Sequence, residues 1–78
     1  MRPFKLFDLQ VKTCDRYTLI NSWGEVFSFD ENPFHPFGFG EFCCNVNHWK
    51  SKSTKHFGKR ISFDELPQQA KEFVMDRI

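Results

Sequence analysis

Tyr17-Thr-Leu-Ile-Asn-Ser-Trp-Gly-Glu-Val-Phe-Ser-Phe-Asp30 is the stretch from which the fold is read. Tyr17-Thr-Leu-Ile20 is rich in β-branched and aromatic residues, and Glu25-Val-Phe-Ser-Phe-Asp30 is a second run of that kind; both suit a pleated, half-buried surface. Between them Asn21-Ser-Trp-Gly24 has the composition of a type I turn, and its closing glycine can take the left-handed conformation that completes a bulged hairpin. The sequence therefore predicts two antiparallel strands over about 16–21 and 25–30.

A lone hairpin is marginal in water, so its neighbours must extend it. Upstream, Phe7, Leu9 and Val11 alternate with Asp8, Gln10 and Lys12, the period-two pattern of a strand over about 4–12. Downstream, Phe42, Cys44 and Val46 alternate with Cys43, Asn45 and Asn47, which predicts a strand over about 39–48. Gly38 and Gly40 place a bulge or a close backbone approach at its start. Arg60-Ile-Ser-Phe63 is compatible with a short final strand. Ser62 and Glu65 have capping-box spacing, and Pro67 suits the first position of the helix that follows. Leu66, Ala70, Phe73, Val74 and Ile78 form an apolar stripe at helical spacing, giving one amphipathic helix over about 64–77. The expected fold is α+β: an antiparallel sheet of three to four strands with the C-terminal helix packed on one face. At 78 residues the chain is read as a single domain, 1–78.

Eleven of those residues are phenylalanine, as many as leucine, isoleucine and valine together. The core must be built from rings. Phe34, Phe37, Phe39 and Phe42 crowd into Asn32-Pro-Phe-His-Pro-Phe-Gly-Phe-Gly-Glu-Phe42, where prolines and glycines forbid helix and interrupt strand. Rings on such backbone either fill a core short of aliphatics or form a contact surface. A domain this small buries only about 60% of its unfolded surface, and the sheet face away from the helix also needs cover, which a second copy would supply. The expectation is a non-enzymatic interaction module, a homodimer or a binder of another protein, with Trp23, Phe34, His35, Phe37 and Phe39 at the interface.

The net charge of +1 recruits no polyanion as a global field. Locally, however, Trp49-Lys-Ser-Lys-Ser-Thr-Lys-His-Phe-Gly-Lys-Arg60 interleaves cations with rings. Trp49, Lys50, Lys52, Lys55, Lys59 and Arg60 are thus the candidate residues for a second reading, nucleic-acid binding by phosphate contact and base stacking. The bland alternative is a lysine-rich loop with Trp49 and Phe57 anchoring its ends in the core. Phe37-Gly-Phe-Gly-Glu-Phe42 is similar to the glycine-aromatic octamer of RNA-recognition motif domains over about six residues. It departs from that pattern at Glu41, where an aromatic belongs, and no basic residue opens it, so no site is carried over.

Catalysis would draw on Cys43 or Cys44 with His35 or His48 as base, yet no helix start or lysine adjoins the cysteine pair to activate a thiol. Cys44, His48, His56 and His35 lack the paired-cysteine spacing of structural zinc sites. No metal, cofactor or catalytic residue is assigned. The odd count of three cysteines, two of them adjacent, favours reduced thiols. Charges break every apolar run near the amino terminus, so no signal peptide or membrane span is expected and the protein is read as cytoplasmic.

Overall fold

In the computed structural model, which describes residues 2–50 and 53–78, the hairpin lies at the centre of a five-stranded antiparallel sheet. The strands are β1 (Lys5–Asp8), β2 (Tyr17–Ile20), β3 (Glu25–Phe29), β4 (Gly40–Asn45) and β5 (Lys59–Ile61), in the order β4-β3-β2-β1-β5. This is more strands than the three to four expected. β5 pairs with β1, Leu6 opposite Ile61 and Asp8 opposite Lys59, but three residues are too few to show a hydrophobic period.

The turn forms as its residues dictate. Gly24 has φ 81° and donates its N–H to the Asn21 carbonyl at 3.0 Å. The Asn21 side-chain oxygen accepts from the N–H groups of Trp23 and Glu25 at 3.1 and 3.0 Å. Its amide donates to Glu25 and to the Arg77 carbonyl, both at 2.9 Å, tying the hairpin to the end of the chain.

Three expected boundaries move, each for a local reason. β1 stops at Asp8 rather than near residue 12: the Asp8 carboxylate accepts the Gln10 N–H at 2.7 Å, and Gln10 turns the chain away with φ 62°. β4 stops at Asn45, whose side chain accepts the Asn47 N–H at 2.9 Å and opens the 3-10 turn Val46–His48. The capping box is present, with the Ser62 N–H donating to Glu65 at 2.7 Å, but it caps only the 3-10 turn Phe63–Glu65. Leu66, preceding a proline, is held extended at ψ 146°, so helix α1 spans Gln68–Met75 with Pro67 as its N-cap rather than its first residue.

Leu66, Ala70, Phe73 and Val74 bury the helix stripe against Leu6, Tyr17, Leu19, Phe29 and Ile61. Phe29 is fully buried, its ring 5.0 Å from Phe73 and 5.6 Å from Tyr17. On the other face Phe7, Ile20 and Val26 are packed by Cys44, Val46, Trp49 and Phe57. Phe57 lies 5.6 Å from both Phe7 and Trp49. Val46, Trp49 and Phe57, from between β4 and β5, thus cover part of the face for which a second copy was the expected lid. Among the described residues no helix is long and apolar enough to cross a membrane.

Candidate functional site

β4 is an edge strand, and the period-two pattern misassigns its faces. Phe42 stands opposite Phe27, but Cys44 stands opposite Val26, so Cys43 is an extra residue in a bulge. One inserted residue reverses the alternation. Phe42 therefore joins Phe27 on the helix side, rings 5.4 Å apart, while Cys44 packs on the opposite face. Phe27 and Phe34 both reach Phe73, at 6.4 and 6.1 Å, and the Arg77 guanidinium lies 3.5 Å from the centre of the Phe73 ring. The result is an aromatic ledge along the β4 edge, with Phe34 53% and Phe42 52% exposed.

Phe37, three residues on from Phe34 in the same loop, is 93% exposed. The loop that carries it is held by its own hydrogen bonds. Asp30 accepts the N–H groups of Asn32 and Phe39 at 3.0 and 3.1 Å. Asn32 accepts from the His35 N–H at 3.2 Å, and His35 accepts from Gly38 at 2.8 Å and, through Nδ1, from Phe37 at 3.0 Å. His35 is exposed, its ring 5.7 Å from Phe37, and Phe39 is half-buried. Of the residues expected at an interface, the loop gathers Phe34, His35 and Phe37. Trp23 is not among them: it lies in the β2–β3 turn, at the opposite end of β3 from the loop. Phe42 belongs to the aromatic stretch as expected, but the strand alternation put it on one face with Cys44 and Val46; the bulge falls at Cys43 rather than at Gly38 or Gly40 and turns it to the helix side.

Beside the loop, Arg16 bridges Asp8 at 2.8 Å and Glu31 at 2.9 Å. Burial pushes the Asp8 carboxyl up, but the Arg16 hydrogen bond, the Gln10 N–H and the charges of Arg16 and Lys59 outweigh it and hold the group below its ordinary value.

A second concavity, of about 570 Å³, opens on the sheet face away from the helix. Trp23 and Trp49 line it with Phe4, Ile20 and Val46, and Lys5 and Arg60 supply its charge. Of the proposed nucleic-acid residues, Trp49 is half-buried against Phe57, while Lys50, Lys55, Lys59 and Arg60 are exposed; Lys52 lies outside the described residues. Of the described members of that set, Trp49 and Arg60 reach the groove. Trp23 comes to it from the β2–β3 turn and Lys5 from β1, which their positions in the sequence do not announce.

The cysteines are free thiols. Cys43 Sγ is 3.1 Å from the Ser28 hydroxyl, and Cys44 Sγ accepts from the Trp49 indole N–H at 3.3 Å. Among the described residues no three His, Cys, Asp or Glu side chains gather in a way that could hold a metal. Set against known protein families, curated proteins and solved structures, the chain matches none.

Proposed function

We propose that this protein is a non-enzymatic interaction module that pairs with a second copy of itself through the aromatic ledge of Phe34, Phe37 and Phe42. The supporting observation is Phe37, a ring 93% exposed on a loop whose hydrogen bonds fix its position. Burying such a ring stabilises by about 1.5–3 kcal/mol, and a loop ordered in advance loses little further entropy when it docks. The β4 backbone edge beside it is unpaired within the sheet, and the strand's only charged residue is Glu41. Edges are usually blunted by charge, by shortness or by bulges; here the edge strand is the longest of the five and is blunted only by that carboxylate and the Cys43 bulge. A net charge of +1 sets up little repulsion between copies.

Light scattering on size-exclusion fractions tests the reading. A dimer is expected for the native chain, insensitive to added salt, and a folded monomer for Phe37→Ser. A native chain that stays monomeric at high concentration removes the proposal.

A further inference from the structure

We infer that the groove between Trp23 and Trp49 binds a short segment of single-stranded nucleic acid, with bases stacked on the tryptophans and phosphates held by Lys5, Arg60 and Arg2. This site lies on the sheet face away from the helix and does not depend on self-association through the ledge.

Three observations carry it. First, the groove, at about 570 Å³, falls within the range of sites that enclose small ligands, roughly 300–1,000 Å³. It joins two tryptophans to polar groups able to read a base edge, those of Ser22, Asn47 and Thr54.

Second, its charge has one sign. Lys5 and Arg60 line it, the Arg2 guanidinium sits 4.3 Å from the centre of the Trp23 ring, and no Asp or Glu is in the lining. Among the described residues the ion pairs are those of Arg16 with Asp8 and Glu31, so Lys5 and Arg60 in the lining and Arg2 beside Trp23 have no carboxylate partner. In a chain with almost equal numbers of acids and bases, a local surplus of this kind selects an anion.

Third, the fold aims the cations and rings rather than leaving them to chance. Arg60 lies opposite Phe7 in the β1–β5 ladder, its guanidinium 5.8 Å from that ring. Trp49 is fixed by its indole bond to Cys44 and by Phe57. The backbone of Trp23 is fixed by the Asn21 turn and by the Asn45 amide, which donates to its carbonyl at 3.2 Å, and its ring carries the Arg2 guanidinium. A planar aromatic group bearing phosphate satisfies both the rings and the cations. A strand is favoured over a free nucleotide because Lys50 and Lys55, each next in sequence to a residue that lines the groove, Trp49 and Thr54, are exposed.

The test is quenching of tryptophan fluorescence by ten-nucleotide oligothymidylate and oligouridylate, with uridine monophosphate as the comparison. The oligonucleotides should bind, and affinity should fall about 20-fold between 50 and 200 mM salt, as about three phosphate contacts on a single strand require. Lys5→Glu with Arg60→Glu should abolish binding, while Lys12→Glu with Lys71→Glu, equal in net charge but away from the groove, should preserve it. Trp23→Ala, a change at an exposed turn position, should weaken binding about 5- to 100-fold, the loss of one stacked base. Far-UV circular dichroism and urea midpoints confirm that each variant is folded. The inference is overturned by absent quenching at low salt, by equal loss in the control pair, or by uridine monophosphate binding as tightly as the strands.

Discussion

Asp8 shows how one residue links a strand end to a loop. Its carboxylate accepts from Gln10 and from two nitrogens of Arg16, and Arg16 carries the connection on to Glu31 at the start of the aromatic loop. Because Asp8 is held below the ordinary carboxylate value of 3.8, its contribution to stability is complete above that pH and is lost as pH falls through the depressed value. Asp8→Asn keeps an oxygen for Gln10 but removes the charge. Its urea midpoint should lie below that of the native chain at about pH 5 to 7, and the two should converge as the solution is acidified past the native group's titration. A gap that persists undiminished in acid would place the stabilisation elsewhere.

At the scale of elements, the contact that matters most to the ledge is the crossing of α1 over the start of β4. A Cβ added at Gly40 would stand 2.6 Å from Cε2 of Phe73 and 3.0 Å from Cβ of Pro33. Phe73 is buried and packed by Phe27, Phe29 and Arg77, so it has little freedom to move aside. Gly40→Ala should therefore cost about 1–3 kcal/mol by overpacking, read from urea denaturation. At the centre of the sheet, Phe29→Ala removes a fully buried ring and should cost about 3–5 kcal/mol. That loss is comparable with the whole stability of a domain this size, roughly 4–12 kcal/mol at 0.05–0.15 kcal/mol per residue, so this variant should be largely unfolded at 37 °C by circular dichroism.

For the whole molecule, the proposed pairing makes stability a function of concentration. If the native state is a dimer and the unfolded chain is not, each tenfold increase in protein adds about 1.4 kcal/mol of apparent stability, and Tm should climb by several degrees. Phe37→Ser should flatten that dependence. The two proposed surfaces are separable on this scale: the ledge lies on the helix side of the sheet, the groove on the other, and removal of one leaves the other's residues in place.

The hairpin, the capping box, the helix stripe and the left-handed Gly24 were legible because each is decided by residues a few positions apart. Period two, period 3.6 and turn chemistry are local properties. The five-strand count and the bulge that sends Phe42 and Cys44 to opposite faces were not, whereas the anchoring of Trp49 and Phe57 in the core was open to the sequence as one of two readings of their loop. Strand count and bulge depend on which backbone lies alongside which, and the alternation on either side of Cys43 reads the same with or without the bulge. The aromatic loop shows the division within a single segment. Its composition required rings on rigid, non-helical chain; only tertiary packing decided that Phe34 would be half covered against Phe73 and Phe42 against Phe27 while Phe37 was left in water, because burial is shared out by the surfaces a ring can reach.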